Sequence, residues 1–213
     1  MQVSVKANVK QLTKGLNKIQ RKQIPFATSK ALNTLAFDVR KTLQTVLPEY
    51  IDQPTPYTTR AIQVEKSTKK KLITTVGFRG FGFGKGKGSV PPAEYMALQI
   101  GGGTRNKKGR GIPVPTKHQK TNRYGNVVKG RINKLLADKQ KFFSGIPKGM
   151  GKDAAGIWER LGKKGKLRML IAWEDRAIYQ KRFPFRMIVD KTIRTNFKKR
   201  FESALRDALQ TAR

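Results

Sequence analysis

Lysine and arginine give this chain most of its chemistry, because their charges bind phosphate and carboxylate groups. The sequence has 47 Lys and Arg against 13 Asp and Glu, a formal charge of +34. The cations are dense between Gly101 and Arg131, after the triplet Gly101-Gly102-Gly103. Three Gly in a row cannot hold a helix or packed strand cheaply, so we expect a flexible loop there. A basic loop in so basic a chain predicts an anionic partner, most commonly nucleic acid.

Two shorter basic segments accompany this loop, at the predicted turns 66–71 and 163–168. We expect all three segments to face DNA or an acidic neighbour, and to hold phosphate by charge without reading bases. The candidate DNA-contacting residues are Arg105, Lys107, Lys108, Arg110, Lys117, Lys120, Arg123, Lys129, Arg131, Lys69, Lys70, Lys71, Lys163, Lys164 and Lys166.

Side chains suited to catalysis or metal binding are few. His118 is the sequence's one histidine and lies inside the basic loop without apolar framing. Glu174 and Asp175 could serve a metal-dependent nuclease, but in so basic a chain they favour a local salt bridge. There is no Cys, which excludes disulfides and thiolate ligands and suits a cytosolic origin. We therefore expect no enzyme activity, no cofactor and no metal site.

The segment at 79–86, rich in Gly and Phe, begins like the RNP1 strand of an RNA recognition motif. The match ends at Gly84 and Gly86, where a β-branched and an aromatic residue belong. The spacings of phosphate-binding glycine loops are also missing. We interpret the segment as a partly aromatic loop that contacts a neighbouring subunit or DNA.

The first eight residues lack the apolar run of a secretory signal, and no apolar run approaches the roughly 18 residues of a membrane span. We expect a soluble product. An anionic membrane surface is a rival explanation of the charge, but the apolar helix stripes are those of helices packed on a core.

Hydrophobic periodicity predicts an α+β fold, in which an antiparallel β-sheet is packed by a long helix of the N-terminal half and a C-terminal amphipathic helix, with long basic loops. The first helix is predicted at about 26–47, bounded by Pro25 and Pro48. The second covers 186–211, with an apolar residue every fourth position from Val189 to Leu209. The other predicted elements are strands at 3–7, 61–64, 72–78, 124–128, 155–160 and 167–173, and a helix at 132–143.

Several blocks of the chain resemble phage tail-completion proteins of the minor tail protein Z family. Their order along most of the chain carries the resemblance. The blocks are Ala31-Leu32-Asn33; Pro92 to Met96 continuing through Gly101 to Arg105; Gly156-Ile157-Trp158-Glu159-Arg160; Leu170-Ile171 to Asp175-Arg176-Ala177 with Tyr179; Phe183-Pro184-Phe185; and Asn196-Phe197 with Phe201 and Ala204-Leu205. Residues 106–150 match no block of that family.

The resemblance implies a non-enzymatic virion protein at the head–tail junction, or neck, of a bacteriophage, made in the host bacterial cytoplasm. It implies a homo-oligomeric ring, a hexamer by family expectation, between the tail tube or tail terminator protein and the head–tail connector. Phage genomic DNA would pass through the lumen, and no membrane is involved. We expect a single tail-completion-like domain over 1–213, with a flexible basic insertion at about 101–131 and a helix and loop at about 132–152.

A nucleic-acid-binding module of ribosomal or nucleoid type is the competing interpretation. It predicts tight binding of free nucleic acid by the monomer, whereas a tail-completion protein is found in purified tails. Spread cations on Gly-rich segments suit both, because neither a DNA channel nor a nonspecific binder needs base readout.

Overall fold

A computed structural model of the chain describes residues 1–7, 18–80, 90–107, 109–162 and 165–211. Its helices and antiparallel sheets confirm the predicted α+β class. The chain divides into two compact units, which we call unit 1 (Met1–Gly101 with Lys181–Arg213) and unit 2 (Gly102–Gln180). Unit 2 begins where the basic insertion was predicted to start. The expectation of one domain carrying this insertion stays a prediction.

Unit 1 consists of a three-stranded antiparallel sheet and two long helices, as the sequence predicted. The sheet order is β1-β3-β2, with Val3 opposite Val76 and Val64 opposite the same residue on the other side. Its elements in chain order are β1 (Gln2–Lys6), α1 (Lys18–Tyr50), α2 (Pro56–Thr59), β2 (Ile62–Glu65), β3 (Ile73–Phe78), α3 (Pro92–Gly101) and α5 (Phe185–Gln210).

The core of unit 1 lies where α1, α5, α3 and the sheet meet. Phe78 of β3 contacts both Phe183 and Phe185, with ring centroids 6.4 and 6.0 Å apart, and all three side chains are fully buried. The apolar stripe of α1 is buried in the same unit, including Leu35 and Leu43. Each such side chain stabilises the fold by roughly 1.5–3 kcal/mol, which explains why these elements hold together.

Helix α1 is longer than the predicted 26–47, because neither proline ends it. Pro25 and Pro48 both lie inside Lys18–Tyr50. Each proline removes a helical hydrogen bond at a cost of about 3 kcal/mol or more in a helix interior. Burial of Ile24 and Ala27 beside Pro25, and of Leu47 beside Pro48, opposes that cost and keeps the helix continuous.

Helix α5 buries only part of its predicted stripe. Val189 is buried, but Phe197 and Leu209 are 42% and 44% exposed. Toward its C-terminus the helix instead buries the small residues Ala204 and Ala208, at positions where long side chains would keep the neighbouring helix α1 further away.

Unit 2 contains two antiparallel sheets. A four-stranded sheet has the order β5-β8-β7-β6, and β4 pairs with β9 in a two-stranded ribbon. The elements are β4 (Gly103–Asn106), β5 (Ile112–Pro115), α4 (Arg131–Ala137), β6 (Phe142–Gly145), a 3-10 turn (Lys152–Ala154), β7 (Gly156–Leu161), β8 (Lys166–Glu174) and β9 (Arg176–Tyr179). Leu135 of α4 packs on Ile157, Leu170 and Ile171 to form the core.

The structure of unit 2 differs from the sequence predictions at three places. Within the predicted loop, β4 and β5 are strands because they pair with β9 and β8. The predicted helix at 132–143 ends at Ala137, since Asp138 leaves the helical region and Phe142 enters β6. The predicted strand at 124–128 is wrong, because Tyr124 to Asn126 belong to a turn closed by Asn122 and residues 127 and 128 have no regular secondary structure.

Candidate nucleic-acid interface

The predicted DNA-contacting cations are distributed over both units. Lys69, Lys70 and Lys71 lie in unit 1, between β2 and β3, and the others belong to unit 2. Every candidate in the described part of the chain is exposed to solvent, as a surface that binds phosphate requires. Lys108, Lys163 and Lys164 lie outside the described residues.

Two of the predicted basic segments meet at one groove in unit 2. The groove is open, with a volume of about 670 Å³. It is lined by Thr116, Lys117, His118, Leu161, Leu167, Arg168 and Met169. Lys117 and His118 come from the predicted loop, whereas the other side belongs to the β7–β8 hairpin, on which the candidate Lys166 begins β8. The groove thus combines cations with an apolar floor.

Thr116 holds the two sides of this groove together. Its amide donates to the Leu170 carbonyl at 2.9 Å, and its hydroxyl donates to the Met169 carbonyl at 2.7 Å. The same hydroxyl accepts from the His118 amide at 3.3 Å, which turns the chain after β5. Gln119, only 6% exposed, donates its side-chain amide to the Lys120 carbonyl and fixes the following residue.

Arg168 is a lining cation that the candidate set omitted. It stands opposite Glu159 in the β7–β8 register, and its Nε lies 3.3 Å from the Glu159 carboxylate. Lys141 lies 3.4 Å from the other oxygen of that carboxylate. One half-buried acid therefore offsets part of the charge of two cations. The cross-strand spacing of Glu159 and Arg168 around the turn was the sequence signal for this pair.

Arg123 lies on a closed turn. The Asn122 side chain accepts from the amides of Tyr124 and Asn126 at 2.9 and 3.0 Å, and Gly125 adopts a φ of 71° that favours glycine. The Arg123 guanidinium lies 4.8 Å from the centre of the Tyr124 ring. This turn therefore presents a cation on an ordered backbone.

Two candidate cations already have carboxylate partners. Lys107 lies 2.6 Å from Asp175, and its amide donates to the Asp175 carbonyl at 2.8 Å. Lys71 lies 3.7 Å from Glu65. The Lys107 pair is the local salt bridge predicted for the Glu174-Asp175 dipeptide. Both cations therefore have less charge to offer a phosphate group than their neighbours.

His118 is exposed at the rim of the groove beside Lys117. Among the described residues, no group of three or more His, Asp or Glu side chains is placed to hold a metal ion. The arrangement at the groove is therefore one of fixed positive charge beside apolar side chains, and what it can do chemically is bind an anion.

Comparisons of the chain with protein-family models, curated proteins and solved structures found no match. In the part of the chain that the structure describes, no helix combines the length and apolar character that a membrane crossing requires.

Proposed function

We propose that this chain is a non-enzymatic structural protein of a phage virion that completes the tail and joins it to the head connector. In this proposal it forms a homo-oligomeric ring around the DNA channel. The proposal rests on the resemblance to tail-completion proteins, and one structural observation supports it. Blocks that carry the resemblance contact one another, and two of the three contacts join blocks that are far apart in sequence.

Three pairs of blocks illustrate this. The Gln99 carbonyl, within the block that starts at Pro92, accepts from the amides of Arg182 and Phe183 at 2.8 and 3.0 Å. Arg105, at the end of that block, pairs with Ala177 across the β4–β9 ribbon. Ile157 pairs with Ile171 across β7 and β8. Blocks that contact one another in the structure support a fold shared with tail-completion proteins better than single blocks without such contacts do.

Individual residues of these blocks have identifiable structural roles. A Cβ at position 156 would collide with the Ile171 carbonyl, so β7 requires glycine at its start. Trp158 is 7% exposed and donates its indole N–H to the Ala154 carbonyl at 3.0 Å. Phe183 and Phe185 anchor the start of α5 in the core of unit 1. These residues stabilise the fold, and no catalytic role is needed to explain any of them.

The groove of unit 2 supports the DNA-channel part of the proposal. A channel through which DNA slides needs positive charge that is indifferent to sequence. Lys117 lines the groove, Lys166 directly precedes the lining residue Leu167, and Lys120 follows two positions after the lining residue His118; all three are exposed.

The decisive experiment is genetic. We expect disruption of the gene in the phage or prophage that encodes it to give heads and tails that fail to join, seen by electron microscopy. Mass spectrometry should detect the chain in purified tails. Recovery of the chain with ribosomes or the nucleoid, and never with tails, would reject the proposal in favour of a nucleic-acid-binding module.

A second experiment tests the channel. The triple variant K117Q/K120Q/K166Q should still assemble into joined particles but should retain DNA less well and be less infectious. A matched variant on α5, K191Q/K198Q/K199Q, removes the same charge from exposed positions outside the groove. Equal infectivity of the groove variant and wild type would remove the groove from the DNA path.

A further inference from the structure

The basic turn between β2 and β3 forms a composite surface with α1 in unit 1. Lys66 lies over the ring of Phe37, with its Nζ 5.5 Å from the ring centre, and Lys69 lies over the ring of Phe26 at 4.9 Å. We call these four residues the lysine–phenylalanine surface. Both phenylalanines belong to α1, separated by about three helical turns, or roughly 16 Å.

The turn is fixed to α1 by a buried polar network. The Asn33 side chain accepts from the Ser67 amide at 2.7 Å and donates to the Ser67 carbonyl at 3.1 Å. Ser29 adds a hydroxyl–hydroxyl hydrogen bond to Ser67 at 3.0 Å, and both serines are buried. Thr68 and Lys71 close the turn through reciprocal bonds of 2.9 and 3.0 Å. The lysines therefore extend from an ordered backbone.

The two rings remain available at the surface. Phe26 and Phe37 are 36% and 41% exposed, although phenylalanine is commonly buried. A shallow depression of about 330 Å³ runs between them, lined also by Lys30, Asn33 and Lys66. Charge and apolar area thus coincide at the same positions, and the ordered turn lowers the entropy lost when a ligand binds.

We propose that the lysine–phenylalanine surface docks an acidic segment of another protein that also carries apolar side chains. Its carboxylates pair with Lys66 and Lys69, while its apolar side chains cover Phe26 and Phe37. Aromatic residues are enriched in the buried centre of protein–protein interfaces, and the rim of such interfaces is polar. This inference goes beyond the proposed function and does not depend on it.

A nucleic acid suits the surface less well. A duplex presents phosphates but no apolar side chains, and would leave both rings in water. A second copy of the chain would bring the same lysines against one another. The lysine charges together with the exposed rings therefore favour an acidic protein partner that carries apolar side chains. Under this proposal the turn binds protein, although its lysines were predicted to contact DNA.

The test is a binding titration by fluorescence anisotropy with the full chain at about 0.15 M salt, where exposed charges are screened beyond about 8 Å. The probes are a labelled peptide of alternating Glu and Phe, an all-Glu peptide with the same number of carboxylates, and a labelled DNA duplex. We expect the alternating peptide to bind about tenfold more tightly than the all-Glu peptide. The variant F26A/F37A should lose that preference and bind the duplex as wild type does.

The variant K66Q/K69Q should weaken both peptides about tenfold. Two matched controls should stay within about twofold of wild type. They are K198Q/K199Q, with equal charge loss on α5, and Y57A, an aromatic residue that is 41% exposed outside the surface. Circular dichroism verifies folding, and the single variants F26A and F37A replace the double variant if it unfolds, each with about a threefold loss expected.

Three outcomes would overturn the proposal. One is that the preference for the alternating peptide over the all-Glu peptide is absent from the wild-type chain or persists in F26A/F37A. Another is a loss of duplex binding in F26A/F37A as large as the loss of peptide binding, which identifies a nucleic-acid surface. The third is a dimer in light scattering that F26A/F37A abolishes, which identifies a second copy as the occupant.

Discussion

The asparagine of the Ala31-Leu32-Asn33 block allows the sharpest test of the fold, because its side chain connects two elements of unit 1. The perturbation is Asn33→Ala. Its amide currently serves both backbone polar groups of Ser67, a residue that is 5% exposed and lies 34 positions further along the chain. The substitution removes these bonds without deleting a large apolar side chain.

The expected loss follows from what remains bonded. The Ser67 carbonyl keeps a hydrogen bond from the Ser29 hydroxyl at 3.1 Å, and the Ser67 hydroxyl keeps Ser29 as partner. The Ser67 amide, however, loses its acceptor in a buried position. An orphaned buried donor costs about 1–3 kcal/mol. We therefore expect unfolding free energy to fall by about 2 kcal/mol, which lowers Tm by about 4–8 °C for a chain of this size.

The assay is urea unfolding followed by far-UV circular dichroism, whose signal is dominated by the long helices α1 and α5. Both tryptophans, Trp158 and Trp173, lie in unit 2, so their fluorescence does not report the site directly. Asn33→Asp keeps an acceptor for the Ser67 amide but turns its second carboxylate oxygen toward the Ser67 carbonyl, to which Asn33 donates, so it should recover only part of the stability that the alanine variant loses. The partly exposed control Thr34→Ala should stay within about 0.5 kcal/mol. An alanine variant as stable as wild type, or a Thr34→Ala variant as destabilised as Asn33→Ala, would refute the reasoning.

Three further predictions concern other parts of the chain. Gly156→Ala should destabilise unit 2 by about 1–3 kcal/mol in tryptophan-monitored unfolding, because its Cβ meets a backbone carbonyl, whereas Gly151→Ala, with open space around it, should not. Burial raises the pKa of Tyr95 above 10.0. The stability that its neutral form contributes is therefore complete below pH 10 and is lost as the pH rises through the raised pKa. An ultraviolet titration should show one tyrosine that ionises at higher pH than the others, and Tyr95→Phe should remove that step. The variant K117Q/K166Q should reduce the slope of log K against log salt for duplex binding by up to about 2, since each phosphate contact contributes about 0.9; an unchanged slope contradicts a phosphate-binding groove.

Sequence periodicity predicted the elements whose buried face is set by the spacing of apolar residues along the chain. Helix α5 and strands β3 and β8 carry apolar residues at a fixed spacing, so their type could be inferred without knowing their neighbours. The ends of α1 could not, because Pro25 and Pro48 are strong stop signals that only tertiary burial overrides.

The elements that were missed depend on distant partners. Strands β4 and β5 are short and contain Gly or Pro, and their pairing residues in β9 and β8 lie 56 to 76 positions away. Nothing in the local pattern of residues 103–115 indicates a strand. The turn after Asn122 was missed for the opposite reason, since Val127 and Val128 favour a strand locally but Asn122 caps the turn with its own side chain.

The candidate site was predictable in composition but not in arrangement. Exposure of the cations follows from their type, and the described candidates are indeed exposed. That Lys117 lies in one groove with Arg168 depends on the β5–β8 register, which no local signal specifies. Likewise, the partners of Lys69 and Lys107, an aromatic ring and a carboxylate, come from elements far along the chain.

The large net charge therefore does not act as one uniform surface. Around Ser67 the cations lie over aromatic rings on a turn fixed by buried hydrogen bonds, whereas at the groove they border an apolar floor in unit 2. Added salt strongly weakens the binding of lysine to phosphate, because that binding depends on the release of counterions. It weakens the contact between a peptide's apolar side chain and a phenylalanine ring much less. If both surfaces serve binding, raising the salt should separate them. Duplex affinity should then fall steeply while part of the preference for the alternating peptide persists, and that persisting part should depend on Phe26 and Phe37.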